Sequence, residues 1–445
     1  MAFALVSLWY RLGFEGFEVT FFLDLQVRSP CRIMREKQIN YKLRAVREQR
    51  HWSMEAAAAA VGVSKTTFLR WENGEQEPHG STLDMLCRAF GRSDEDLGYP
   101  RGNLVSINRE IESPLRFLSM NVEELIKRYE DEKEYLLELK AEHVQWTLPE
   151  VVIFDNTRSR LPITAIAVQI DKSHPEYTIP ATIAGKAENV LEEIEHYFYD
   201  STTIRLNGMQ KDGNSLILTV AKAHYLQYIA TNYAMDAFLR KKGWTRSLRD
   251  TVHATARLCK LEESLLANHL GVNTLVFTID NYLVLPQRAK ENLATWRETV
   301  SPSISGATCY DDDMYHQKMG PVASWIREGR EELGLDYSDF REEKDIFLGI
   351  TRDLLRGGKP EMFFATQIGV TRGDLERKFK KARDKWENRE LQWLEFTNPL
   401  TPSTTKQEHA IFMQEFLTLL NLHKDQLSRP VQVNLALWFK YMECP

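Results

Sequence analysis

Residues 53–78 read SMEAAAAAVGVSKTTFLRWENGEQEP. Ser53 is of the kind that accepts hydrogen bonds from free amides at a helix start. The MEAAAAAV behind it is a strong helix former. Gly62 stands where a left-handed residue closes such a helix. Ser64 then offers a second cap, and KTTFLRWENG predicts a second helix that stops at Gly74. A tight turn at Gly62-Val63 therefore joins two short helices into a helix-turn-helix. The flanks agree. NYKLRAVREQRHW, residues 40–52, carries Leu43, Val46 and Trp52 as apolar positions of a preceding helix. STLDMLCRAF, after Pro78, predicts a further helix ending at Gly91.

This stretch resembles the XRE-type, Cro/repressor-like family of DNA-binding domains over about 55 residues, the size of a standard module for the motif. The glycine-apolar-serine turn, Phe68, the Trp71-Glu72 pair, Gly74 and Pro78 fall where that family has them. Met54 departs from it, standing where the family often has a glutamine that touches a phosphate. The resemblance implies that the second helix enters the major groove N-terminus first. Ser64, Lys65, Thr66, Thr67, Leu69 and Arg70 are then the DNA-binding residues, with Phe68 and Trp71 packed inward. Lys65 and Arg70 can reach base acceptors or phosphates, and the threonines can meet bases or thymine methyls. Residues 34–74 hold eight Lys/Arg against four Glu, a local net charge of +4. A small helical bundle that binds protein fits the same pattern.

The rest of the chain bounds the reading. It has 445 residues, 43% hydrophobic and 27% charged, which is ordinary for globular protein. That length predicts about two to four domains. The net charge of −6 excludes a global basic field, so a nucleic-acid contact must come from a local patch. The cysteines Cys31, Cys87, Cys259, Cys309 and Cys444 form no C-x-x-C pair. That argues against a zinc ribbon or a disulfide framework and fits a reducing cytoplasm. The apolar opening MAFALVSLWY stops at Arg11, short of the about 20 residues that span a bilayer, and no membrane partner is expected. Residues 1–33 are expected to be an extension without a fold of their own, with a helix-turn-helix domain over 34–100 beginning at Met34.

Residues 101–147 are expected to be a helical linker or dimerisation helix. LSMNVEELIKRYEDEKEYLLELKAEH, 118–143, spaces its apolar residues as an amphipathic helix does. A homodimer is expected, since such DNA-binding domains usually read two half-sites. Residues 148–265 read as an α+β region that carries no motif for chemistry. PITAIAVQI and SLILTVAKA predict strands, and Asp212-Gly213 predicts a hairpin turn. ENVLEEIEHYFYD and HYLQYIATNYAMDAFL predict helices. His196, His224, Tyr225, Tyr228 and Tyr233 lie in these helices and suit ordinary packing.

Residues 266–445 predict two hairpins, NTLVFTIDNYLVLPQRA turning at Asp280-Asn281 and DIFLGITRDLLRGGKPEMFFATQIGV turning at Gly357-Gly358. Between them lies the helix GPVASWIREGREELG, ended by Gly334. LQWLEF alternates as a strand, and TKQEHAIFMQEFLTLLNLH predicts a C-terminal helix. The sequence REGREELGL, 327–335, puts Glu328, Glu331 and Glu332 on one helix face, where like charges repel by a few tenths of a kcal/mol per pair.

From about residue 270 to 400 this region resembles a Nudix domain. The second half of that family's signature stands as Arg327, Glu328, Gly329, Arg330, Glu331, Glu332, Leu333, Gly334 and Leu335. Gly329 replaces an aliphatic residue there, and a mid-helix glycine costs about 1 kcal/mol. Strict spacing would put Met319 and Asp313 at the first glutamate and the glycine of the signature, where neither fits. A register with Gly306 as the opening glycine, Asp312 as the acid and an insertion before the helix fits better. The resemblance implies a catalytic set of Arg327, Glu328, Glu331 and Glu332. The three glutamates would hold Mg2+ or Mn2+, hard cations that share oxygen ligands with substrate phosphates. Arg327 would orient a glutamate by a charge-assisted hydrogen bond. A solvated charged face with an ordinary Arg327–Glu331 pair also suits these residues.

The chain is thus expected to be multidomain, with an all-α helix-turn-helix domain, an α+β middle region and an α/β/α Nudix-like sandwich. Three functions stay open. One is a regulator of transcription that binds double-stranded DNA and senses a nucleotide-like small molecule. Another is a working Nudix hydrolase that cleaves a nucleoside diphosphate linked to another group, placed or autoregulated by its DNA-binding module. The third is a toxin-like enzyme kept in check by that module.

Overall fold

The computed structural model describes residues 40–50, 52–73, 78, 80–92, 97, 116–117, 122–141, 144–194, 200–238, 247–253, 255–289, 299–310, 320–384, 387–423 and 426–443. The chain divides into two compact units, residues 1–107 and 108–445. The expected extension 1–33, Gly74, His196 and Asp312 lie outside the described residues.

The first unit holds four helices, α1 (Tyr41–Gln49), α2 (Met54–Val61), α3 (Lys65–Glu72) and α4 (Gly80–Phe90). Each of the first three has a side-chain cap: Asn40 accepts from the Leu43 amide, Ser53 from Ala56 and Ser64 from Thr67. Gly62 closes α2 at φ +77°, with the Val63 amide donating to Ala58 O at 2.9 Å. This is the left-handed turn that the sequence requires. Leu43, Ala57, Ala58, Val61, Phe68, Trp71, Leu83, Leu86 and Phe90 form the core. Glu72 is fully buried beneath them. Arg47 Nε donates to its Oε1 at 2.5 Å and Arg44 Nε to its Oε2 at 3.4 Å, so two cations from α1 hold the end of α3.

The second unit is a mixed α/β fold with thirteen labelled strands among the described residues. The strands β1 (Arg116–Phe117) and β7 (Ala237–Phe238) form a two-residue ribbon. The large sheet runs β13 (Asn388–Glu395), β9 (Tyr282–Arg288), β8 (Gly271–Phe277), β12 (Lys359–Gln367), β11 (Ile346–Asp353), β3 (Val144–Asp155), β2 (Leu136–Ala141). The short β10 (Ile304–Ala307) pairs with the first half of β8. A small sheet runs β4 (Ile166–Ile170), β6 (Ser215–His224), β5 (Thr202–Asp212), with α5 (Ala181–Ile194) nearby in sequence.

β8 is buried along its whole length and pairs parallel with β12. Buried strands of this kind read as continuous apolar runs. Alternation along β12 sends Met362 and Phe364 to one face and Phe363 and Ala365 to the other. The first face packs on Val322, Trp325, Ile326 and Leu333 of α6 (Gly320–Leu333) and on Leu375 and Phe379 of α7 (Arg372–Phe379). The second packs on Phe412 and Phe416 of α8 (Lys406–His423) and on Trp438 and Phe439 of α9 (Arg429–Glu443).

Two expectations change. The segment read as one amphipathic helix is helical only at Val122–Arg128, then forms a 3-10 turn at Glu130–Tyr135 and strand β2. Leu137, Leu139 and Ala141 alternate inward there and pair with β3, so tertiary pairing overrides a helical spacing. The helix expected over 224–239 is one turn, Tyr225–Tyr228, followed by a π turn, Ile229–Tyr233, and β7. Because β3 pairs with β11, the large sheet draws on residues on both sides of position 266.

Glu72→Ala is expected to destabilise the N-terminal unit by about 3 kcal/mol, because it leaves Arg47 without the carboxylate that offsets its partial burial. Urea unfolding of the intact chain, followed by hydrogen exchange of the α1 and α3 amides, measures this; exchange unchanged in α3 would refute it.

Candidate functional site

The face of α3 turned away from Phe68 and Trp71 carries Lys65, Thr66, Leu69 and Arg70, all exposed. Leu69 is 39% exposed, high for an apolar residue on a helix of eight residues. Ser64 and Thr67 are tied to each other at 2.8 Å between their hydroxyl oxygens, and the Ser64 oxygen caps the helix. These two are occupied locally. Lys65 pairs with Glu55 of α2, an exposed contact. Met54 is half-buried in the core rather than turned outward.

In the second unit α6 lies against β10. Arg327 Nη2 donates to Ala307 O at 2.8 Å, while its Nη1 lies 2.9 Å from Glu328 Oε1 and 3.2 Å from Glu331 Oε2. Glu331 also accepts from Arg383 Nη1 at 2.7 Å, and its backbone oxygen accepts from the Asp384 amide at 2.8 Å. Both its carboxylate oxygens thus face arginines. Glu332 is buried and takes the Ser305 amide at 3.3 Å. Gly306 leaves room for Glu328, whose carboxyl a Cβ would strike. Gly334 closes α6 at φ +72°, as the sequence predicts.

Burial pushes the Glu328 carboxyl up to about 8, with Arg327 opposing and Glu331 and Glu387 adding to the rise. Burial also raises Glu332 well above the usual carboxylate range, reinforced by Glu387 and Glu328. Glu387 is itself raised by burial, against the pull of Arg288, whose Nη2 lies 3.3 Å from it. Glu387 and Arg383 were not read from the sequence. Both sit fifty or more positions past the acidic helix, and only the packing of the segment before β13 brings them there.

The structure therefore gathers Glu328, Glu332 and Glu387 electrostatically and turns Glu331 to Arg327 and Arg383. Among the described residues no group of three or more His, Cys, Asp or Glu side chains could hold a metal ion as placed. Glu328 and Glu387 each have an arginine in contact, and Glu332 has only the Ser305 amide. No helix of the described residues is long and apolar enough to cross a membrane.

Residues 43–97 match the family model described as helix-turn-helix. This segment is an XRE-type helix-turn-helix domain. Similar solved structures include the DNA-binding domain of the P22 c2 repressor, 30% identical over 15% of this chain and 87% of that one, with a TM-score of 0.14. The clp gene regulator ClgR from C. glutamicum is 24% identical over 15% of this chain and 88% of that one, TM-score 0.13. DR0079 from Deinococcus radiodurans is 13% identical over 28% of this chain and 67% of that one, TM-score 0.20. These TM-scores leave the assignment of residues 43–97 to the family model. No curated protein matches the chain.

With a folded pKa of about 8 against about 4.5 unfolded, Glu328 keeps a proton in the folded state that the unfolded chain has released. Stability then falls as pH rises between those values. In buffer with EDTA, Glu328→Gln is expected to melt with the parent at pH 5 and above it at pH 8. Thermal unfolding at both values checks this, and parallel melting curves at the two pH values would remove the shift.

Proposed function

We propose that this protein is a transcriptional regulator that reads double-stranded DNA through α3 and senses a nucleoside-diphosphate-type ligand through its C-terminal unit. The helix-turn-helix match with an exposed Lys65–Thr66–Leu69–Arg70 face carries the first half. The physical logic is that phosphate contacts position the domain and side chains at base edges specify the site. Two half-sites read by a homodimer in the cytoplasm complete the reading.

The second half is supported by the Nudix-like run Arg327–Leu335 and by the buried Glu332 and half-buried Glu328 beside β10. On this reading the carboxylates of Glu328 and Glu332 would have to shift to take Mg2+ or Mn2+, which would neutralise ligand phosphates and polarise a phosphoryl oxygen. Arg327 holds Glu328 and fixes α6 on β10. Glu331 acts through the arginines that hold it, a role different from the ligand role that the signature implies. A ligand shifts DNA affinity only through differential affinity for two states of the chain. Magnesium-dependent hydrolysis of the same ligand is the second reading, favoured by the retention of all three glutamates on α6.

Arg70→Glu is expected to abolish specific DNA binding and to leave ligand binding intact. Loss of a base contact costs about 1–3 kcal/mol, and the new anion adds phosphate repulsion. A gel-shift titration at fixed salt with unchanged affinity and sequence preference would overturn the DNA assignment.

Glu328→Gln with Glu332→Gln is expected to remove magnesium-dependent binding of nucleoside diphosphate derivatives. Amides keep the shape but lose the charges that a cation needs, and glutamine keeps nearly the same helix propensity. Calorimetry with a panel of such compounds reads binding, and product release in the same samples separates sensing from hydrolysis. Magnesium and ligand binding like the parent's would refute the sensor site.

A further inference from the structure

The surface of α7 and the turn after it carries Arg372, Arg377, Lys378, Lys380, Lys381 and Arg383. Residues 371–384 hold these six basic groups against Asp374, Glu376 and Asp384, a local excess of three in a chain of net charge −6. Leu375 and Phe379 turn inward to the core, so the helix period places the cations outward. Val370, Asp374, Arg377, Lys378 and Lys381 line an open groove of about 300 Å³.

The groove is held in place from beneath. The Lys378 carbonyl lies against Gly334 so closely that a Cβ there would meet it at 2.5 Å. The Asp384 amide and the Arg383 guanidinium both bond Glu331. Part of the charge is already offset. Arg372 pairs with Glu376 at 3.1 Å, Arg377 with Asp374, and Lys378 with Asp336 at 2.5 Å and Asp339 at 2.9 Å. Lys380 and Lys381 are exposed and make no ion pair among the described residues.

We propose that this groove and the exposed Lys380 next to it in sequence are a second, sequence-independent contact for duplex DNA, taking the phosphate backbone along Arg377, Lys380 and Lys381. The inference rests on the DNA-binding reading above. An open groove lined by long cationic side chains suits a row of phosphates rather than one enclosed small ligand, whose pockets are mostly apolar. No aromatic side chain lines it, and single-stranded nucleic acid is held largely by stacking on aromatics.

The test is anisotropy of the intact chain with a duplex of unrelated sequence across a salt series. Lys380→Glu with Lys381→Glu is expected to make the slope of log Kd against log salt shallower by about two, since each lost phosphate contact removes about 0.9. Lys380→Gln with Lys381→Gln should give the same slope change, and serves if the charge-reversed chain fails to fold. Lys172→Glu with Lys211→Glu alters net charge equally at exposed positions elsewhere and should leave the slope alone. An unchanged slope in the 380/381 variants, or an equal change in the control, overturns the proposal. Loss of binding to phosphatidylserine vesicles with the DNA slope untouched would assign the groove to a membrane surface and overturn it as well. A wild-type chain that binds no duplex sinks the DNA-binding reading and this inference together, whereas the other outcomes reach this inference alone.

Discussion

At Gly306 a Cβ would run into the carboxyl of Glu328, and at Gly329 one would meet Ile304 Cδ1 at 2.7 Å and Phe340 Cζ at 3.0 Å. These two glycines let α6 settle onto β10 at a distance that larger residues resist. Much of the C-terminal unit follows from that approach. Trp325 is fully buried beside Phe340, with ring centroids 5.1 Å apart. Arg327 reaches the Ala307 carbonyl and Glu332 reaches the Ser305 amide. The apolar area that α6 buries, at about 25 cal/mol per Å², is what allows two carboxylates to be drawn under the helix. Gly329, a liability for an isolated helix, is the contact point of this packing.

Where local chemistry decides structure, the sequence was readable. Ser53, Gly62 and Ser64 act as the caps and the turn that their types require. Asp212-Gly213, Asp280-Asn281 and Gly357-Gly358 turn three hairpins, with Asn281 at φ +64° and Gly357 at +62°. Gly334 ends α6. Pairing at long range was not readable. EYLLELKAEH has apolar residues that satisfy a helical period and a strand period at once, and only β3 decides between them. Arg383 and Glu387 carry no motif of their own; their meaning comes from lying beside α6.

Buried acids elsewhere in the chain show what an ordinary structural carboxylate looks like. Glu72 meets Arg44 and Arg47. Asp353 and Glu361 meet Arg356 at 2.5 and 2.8 Å, and Glu361 also meets Lys359 at 2.5 Å. Asp236 meets Arg249 at 2.7 Å. In each, a cation in direct contact offsets the cost of leaving water. Glu150 has no such cation in contact, but accepts the Thr351 hydroxyl at 2.6 Å and stays buried with its pKa raised.

Glu328 and Glu387 each have one arginine in contact, whereas Glu332 is buried with only the Ser305 amide and no ion pair among the described residues. Burial raises all three; Glu331 and Glu387 add to the rise of Glu328, Glu387 and Glu328 to that of Glu332, and Asp384 and Glu331 to that of Glu387, with Arg327 shared between Glu328 and Glu331 and Arg288 serving Glu387. A purely structural site would gain stability by replacing Glu332 with an apolar residue of similar volume, as buried ionic groups often allow. Carboxylates shifted in this way occur at sites of binding and catalysis as well as in structural networks. Burial favours the proton-bound form of each acid, so charge that the other clusters draw from a cation in contact is here offset partly by protons. That difference separates α6 from the ion-paired clusters of the same fold.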